Sequence, residues 1–142
     1  LGIPTVGVGL ALMQKTAHGL VPSSYAHGIC TSLGLDFDGL LNGTVMLTQE
    51  QSRNILSRCI IDVVEWLTQV FPDLSSYTMS RQTALVDMGF NLGENKFRGF
   101  KQMISCILAG DWDGAASQAL HSRWALELPA RSASDVERMR RG

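Results

Sequence analysis

Long apolar runs are missing from this 142-residue chain. No stretch approaches the roughly 20 residues that a helix needs to cross a bilayer, and the opening residues lack the pattern of a signal peptide. The first residue is Leu1 rather than methionine, so the start is expected to have been cut, processed or omitted. An excess of one charge is missing too: 12 Lys and Arg stand against 13 Asp and Glu. A net charge of −1 gives no electrostatic basis for binding nucleic acid or an anionic membrane surface. The three cysteines, Cys30, Cys59 and Cys106, are odd in number and far apart, which argues against a disulfide framework or a zinc site. Reduced and mostly buried thiols are expected. His18, His27 and His121 share no ligand spacing, so no metal is expected either. The chain has no HExxH, GxSxG, Walker loop or CxxC, no repeat of 20 to 50 residues, and no low-complexity tract. Gly7-Val8-Gly9 lacks the third glycine of a dinucleotide loop and is not followed by a parallel-sheet pattern. No cofactor is expected.

What is present is an ordinary apolar fraction of 45%, enough for a packed core, in a length that suits one domain or two small lobes. The stretch from Arg81 to Gly93 reads as a helix, with Thr78 or Ser80 as N-cap and Gly93 as the stop. Ala84, Leu85, Val86, Met88, Phe90 and Leu92 make it apolar on most sides, as a helix in the middle of a core should be. Thr83, Asp87 and Asn91 break that rule. They fall four apart and line one face, either meeting water or neighbouring groups or forming the edge of a ligand cleft. A buried carboxylate needs a partner, which makes Asp87 a candidate substrate contact.

Along the chain, Thr5, Val6 and Val8 favour a strand interrupted by glycines, the edge of a small sheet. Lys15 to Leu33 is a helix candidate interrupted at Pro22, and Asp36 to Gly43 a turn-rich loop. Thr48-Gln49-Glu50-Gln51 matches a capping box, opening a helix that should run towards Val70 and end before Pro72. At about 1.5 Å per residue it would span roughly 30 Å. Glu94 to Phe97 reads as a short connection, and Phe97 to Leu108 has helical spacing stopped by Gly110. Asp111 can cap a helix carrying Trp112, Ala115, Ala116, Ala119 and Leu120. A short turn of helix over Ser122 to Ala125, a break at Pro129, and a second capping box at Ser134 to Glu137 before a basic last helix complete the reading. The fold class is α+β, mostly helical, with one small sheet at the start.

Ala84-Leu85, Phe90-Asn91-Leu92-Gly93-Glu94, Gly99-Phe100, Trp112-Asp113 with Ala115-Ala116, Ser122-Arg123-Trp124, and Pro129 followed by Arg131 form a specific combination. Together they resemble the C-terminal lobe of T4-type phage lysozymes, the muramidases of glycoside hydrolase family 24. Leu1 to Gly9 resembles the family's Gly-x-Pro-Thr-x-Gly-x-Gly hairpin strand, and Thr48 onward its long inter-lobe helix. Lys15 to Gly43 has no clear counterpart. The resemblance implies a lysozyme-like two-lobed fold within a single domain over 1–142: a small β-hairpin lobe over 1–47, an inter-lobe helix over 48–71 and a helical lobe over 78–142.

It also implies a peptidoglycan hydrolase that cleaves the β-1,4 bond between N-acetylmuramic acid and N-acetylglucosamine in bacterial cell walls. Such cleavage requires a carboxylic acid for the leaving oxygen and a second group for water or charge. In the family these are a Glu at the end of the first helix and an Asp in the hairpin, and both would precede Leu1. Thr5 matches the Thr that helps position the water. Leu10 stands where the family usually has a His. Arg131 matches an Arg beside the catalytic Glu, Phe90 a cleft aromatic, Asn91 an amide near the lobe junction and Gln118 a polar cleft residue. Met103 replaces a small polar cleft residue, and Trp124 is assigned to packing. Thr5 and Arg131 are expected to face one another across a saccharide groove.

Two functions follow. One is a muramidase acting on peptidoglycan, of phage, prophage or bacterial origin, bacteriolytic and antimicrobial, delivered to the wall by a pore or secretion machine. The other is a non-catalytic lysozyme-like module that binds glycan or a partner. The expected absence of the family's first helix further predicts self-association, or its replacement by another chain, to cover apolar surface.

Overall fold

The computed structural model describes the backbone of Thr5–Val6 and all of residues 10–142. Two compact units divide the chain, residues 1–59 and 60–142.

The first unit begins with two antiparallel hairpins. Strand β1 (Thr5–Val6) pairs with β2 (Leu10–Ala11), Val6 opposite Leu10. Strand β3 (Met13–Thr16) pairs with β4 (Gly19–Pro22), Met13 opposite Pro22. The second hairpin lies where a helix was expected from Lys15. Gly19 at φ +112° closes its two-residue turn, a backbone geometry closed to a continuing helix, and the Thr16 hydroxyl donates to the Gly19 carbonyl at 2.9 Å. The helix starts only after Pro22. Ser23 caps α1 (Ser24–Ser32), its hydroxyl accepting from the Ala26 N–H at 3.1 Å. The expected loop from Asp36 to Gly43 is likewise a short helix, α2 (Phe37–Asn42), with the Asp36 carboxylate accepting from the Gly39 N–H at 3.0 Å. Among the described residues of this unit, Leu10, Leu12, Ala26, Ile29, Cys30, Phe37, Leu40, Ile55 and Cys59 are buried and apolar.

Helix α3 (Gln49–Val70) opens on the expected capping box. The Gln51 N–H donates to the Thr48 hydroxyl at 3.1 Å, and the Thr48 N–H donates to the Gln51 side-chain Oε1 at 2.9 Å. Such a cap contributes about 1 kcal/mol. The helix begins in the first unit and ends in the second, where Phe71 is fully buried and Pro72 follows.

The second unit is built around α4 (Met79–Leu92), with Thr78 as its N-cap and Gly93 at φ +80° after its last turn. Ala84, Leu85 and Met88 have no exposed surface, as the all-round apolar pattern required. A 3-10 turn over Leu74–Ser76 precedes it. Then come α5 (Glu94–Arg98), α6 (Lys101–Leu108), α7 (Trp112–Leu120), α8 (Arg123–Glu127) and α9 (Pro129–Arg141). The supposed connection over Glu94 to Phe97 is therefore a helix. Pro129 does not break the last helix but begins it, because a first-turn residue needs no N–H and φ near −65° suits a helix. Ser134, expected to cap that helix, lies inside it.

Helix α9 packs on α4, α7 and α8, and α7 on α6. Through the core runs a series of edge-on aromatic contacts: Trp66 to Phe97 at 5.1 Å, Phe97 to Phe71 at 6.1 Å, Phe71 to Tyr77 at 6.2 Å, and Tyr77 to Trp112 at 5.0 Å. The Arg81 guanidinium lies 4.5 Å over the Trp112 ring and donates through Nε to the Met139 carbonyl at 2.9 Å, tying α4 to the end of α9. Among the described residues no helix is long and apolar enough to cross a membrane. Cys30 and Cys59 are buried, and Cys106 is half-buried.

Candidate functional site

The polar stripe of α4 divides into two parts. Thr83 is exposed, and its hydroxyl donates back to the Met79 carbonyl at 2.8 Å. Asp87 and Asn91 are half-buried and meet α9. The Asn91 amide nitrogen donates to the Asp87 main-chain carbonyl at 2.8 Å, which fixes the side chain with its oxygen outward. That oxygen accepts from Arg131 Nη1 at 2.7 Å. Arg131 Nε lies 3.7 Å from Asp87 Oδ2. Pro129 starts α9 two residues earlier, so Arg131 is held in the first turn, opposite the last turns of α4.

Arg131 is thus gripped from one side by an amide and a carboxylate. With its side chain 52% exposed and that of Asp87 30%, the ion pair is worth at most about 1 kcal/mol of stability. The arrangement is better suited to orientation. A guanidinium carries five donors in a rigid fork, and a fixed, half-exposed fork is suited to holding a carboxylate or another acceptor by charge-assisted hydrogen bonds.

One turn further along α9, Asp135 enters the same cluster from beneath, with no exposed surface. Arg138 Nη1 donates to its Oδ1 at 3.3 Å, while its Oδ2 has no N–H or hydroxyl donor. Its carboxyl faces that of Asp87. Burial, then the hydrogen bond to Asp87 and the negative charge there, push the Asp135 pKa up to about 8, with Arg138 pulling the other way. A protonated Asp135 can donate to the Asp87 carboxylate, which supplies the bond that Oδ2 otherwise lacks.

The residues singled out from the sequence separate on these coordinates. Asp87, Asn91 and Arg131 come together. Phe90 is half-buried and packs against the helical core, and Gln118 is exposed on α7. Met103, expected at a cleft position, is 1% exposed and packs within that core, its side chain filling interior space. The side chain of Thr5 lies outside the described residues. Trp124 is buried with an unpartnered Nε1, beside a cavity of about 480 Å³ lined by Leu92, Lys96, Phe100 and Arg123 among others. Among the described residues no cluster of His, Cys, Asp and Glu has the form of a metal site. Asp135 was not singled out from the sequence. The Ser134 to Glu137 pattern read as a cap, and no local sequence signal marked Asp135 for burial.

The two small antiparallel hairpins followed by helices, with an arginine held against the central buried helix, are a lysozyme-like α+β arrangement. The Phage lysozyme family model matches residues 1–138, and the chain belongs to that family. It is similar to the Pre-baseplate central spike protein Gp5 of Enterobacteria phage T4, at 25% identity over 134 residues that make up 92% of this chain. The chain spans about a fifth of that relative, the aligned part being 22% of it. Family membership places the chain in the lysozyme-like class.

Proposed function

We propose that the protein is a muramidase that cleaves the β-1,4 bond between N-acetylmuramic acid and N-acetylglucosamine in the bacterial wall, and that Arg131 organises its catalytic acid. The observation that carries this reading is the fixed Arg131 fork, bonded to Asn91 at 2.7 Å and paired with Asp87, in a chain of the lysozyme family. Glycoside cleavage needs a carboxylic acid that protonates the leaving oxygen while charge develops on the sugar ring. In the family that acid is a Glu on a helix preceding the hairpin. The free donors of Arg131 would hold such a carboxyl in place, and Asn91 would keep the arginine from swinging into solvent. Thr5, on β1, would position the water. Phe90 and Gln118 would offer a ring edge and an amide to the glycan. The expected site of action is the cell wall.

The test uses the full translated product on purified sacculi, reading turbidity and released reducing ends. Arg131→Gln should lower the rate by about 10²-fold, the scale of losing a positioning contact at a catalytic group, with Arg131→Lys intermediate because an ammonium lacks the fork. Sacculi that retain the protein without any release of fragments would instead identify a non-catalytic glycan-binding module. Unchanged lysis by Arg131→Gln would remove the arginine from the mechanism.

A further inference from the structure

We infer that Asp87 and Asp135 act as a single-proton carboxyl pair that positions Arg131, with Asp135 as the buried positioning residue. The functional consequence rests on the muramidase reading; the proton sharing does not.

The inference begins with an unpaired atom. Asp135 is wholly inside the protein, and one of its two oxygens, Oδ2, receives no hydrogen bond from any N–H or hydroxyl group. A buried carboxylate oxygen in that state is costly, and a neighbouring carboxylate adds to the cost. One proton between the two groups resolves both problems. The Asp135 O–H donates to Asp87, the negative charge resides on the half-exposed Asp87, and Asp87 offers that charge to Arg131.

The surroundings favour this state. From α4 the facing group is Asp87, and Arg131 of α9 lies beyond it. From α9 itself Arg138 reaches Asp135 Oδ1 at 3.3 Å, a long contact that only partly offsets the burial. Helices α7 and α8 also pack on α9, but their charges are engaged elsewhere: Asp113 with Arg140 at 3.7 Å, and Glu127 with Arg123 at 2.9 Å. The pKa of about 8 for Asp135 agrees with a carboxyl that keeps its proton at neutral pH.

Loss of the proton places two negative charges side by side under Arg131. The arginine is then drawn towards the pair and away from the Asn91 carbonyl, so the fork changes direction. Below pH 8 the fork is fixed on Asn91; above it the grip loosens.

The experiment is a pH titration of the full chain by NMR, following the side-chain carboxyl carbons of aspartate, Arg131 Nε and the Asn91 amide. One aspartate carboxyl should titrate near pH 8, and the Arg131 and Asn91 signals should shift with the same midpoint. Asp135→Asn should abolish that shift, since an amide donates permanently to Asp87. Asp87→Asn should return Asp135 towards lower pH, and covers the case in which Asp135→Asn fails to fold. An Asp135 carboxyl that titrates in the ordinary range, or Arg131 and Asn91 signals that ignore its titration, overturns the inference. On sacculi, lysis by the parent protein should fall about tenfold per pH unit above the midpoint, as expected when only the protonated form is competent, while Asp135→Asn stays active to higher pH. The NMR titration with no lysis at any pH supports the carboxyl pair and defeats the muramidase reading alone.

Discussion

Gly89 shows how closely the central helix is held. It lies on α4 between Asp87 and Asn91, buried against α3. A Cβ added there would come within 3.0 Å of Trp66 Cη2, Trp66 Cζ2 and Val63 Cγ1. Ordinary carbon contacts lie near 3.5–4.0 Å, so the neighbouring side chains must give by roughly a few tenths of an ångström. Trp66 cannot retreat freely, because its ring already meets Phe97 edge-on at 5.1 Å, and Phe97 meets Phe71 at 6.1 Å. Two effects oppose each other in Gly89→Ala. Helix propensity favours alanine by about 1 kcal/mol. Overpacking a filled core costs about 1–3 kcal/mol. With three contacts on a backed ring, overpacking wins, and the variant should be less stable by about 1 kcal/mol net. For a chain of this length that lowers the melting temperature by roughly 3–4 °C. Gly89→Val loses the propensity gain and adds two methyl groups, so its loss should exceed that of the alanine variant severalfold.

The assay is urea and thermal unfolding followed by tryptophan fluorescence and circular dichroism, with exposed Thr83→Ala on the same helix as control. The shift should also reach the candidate site, because Asp87 and Asn91 are each two residues away. A displaced α4 should weaken the bond between Arg131 and Asn91 before it unfolds the protein. A Gly89→Ala protein that gains about 1 kcal/mol, as propensity alone would give, refutes the claim that α4 is wedged against Trp66.

Met103→Ala should destabilise the protein by about 2–4 kcal/mol in urea titration through the cavity it leaves in the core, whereas Gln118→Ala on the exposed face of α7 should change stability by less than about 0.5 kcal/mol. The raised pKa of Asp135 makes a signed prediction for stability: its contribution is full below the unfolded carboxylate pKa near 4 and is lost as pH rises to about 8. Between pH 5 and 8 the loss is at most ~4 kcal/mol, and Asp135→Asn should flatten it; equal pH profiles for parent and variant in urea titration would disprove the shift.

The elements legible in the sequence are those specified by neighbours along the chain. The capping box at Thr48 and Gln51, the proline after Phe71, the Thr78 cap and the apolar girdle of α4 are local signals, and each appears in the fold. The β3–β4 hairpin escaped because a strand pair is specified by a partner, and Lys15 to Pro22 has neither strict alternation nor a strong Asn-Gly turn. Helix α2 escaped for a different reason. Six residues are too few for periodicity, although its Asp36 cap and the Gly43 stop stand on either side. At α9 the same residue carried the opposite meaning: Pro129 is a breaker inside a helix and a starter at its first position.

The candidate site divides along the same line. Asp87 and Asn91 were visible as one helix face, since a spacing of four places side chains together without knowledge of the fold. Arg131 came from a resemblance, because 40 residues separate it from Asn91 and nothing local links them. Asp135 was hidden altogether. On a helix that ends in Arg138, Arg140 and Arg141, an aspartate reads as one member of a solvated charge pattern, and its intrahelical partner Arg138 strengthens that impression. Only the packing of α9 on α4 turns it inward to meet a second carboxylate. The property most consequential for the site, a proton held at neutral pH, therefore belongs to neither aspartate alone. It arises where helix packing buries Asp135 and sets it beside a second carboxylate, and a sequence records the charges but neither their burial nor their approach.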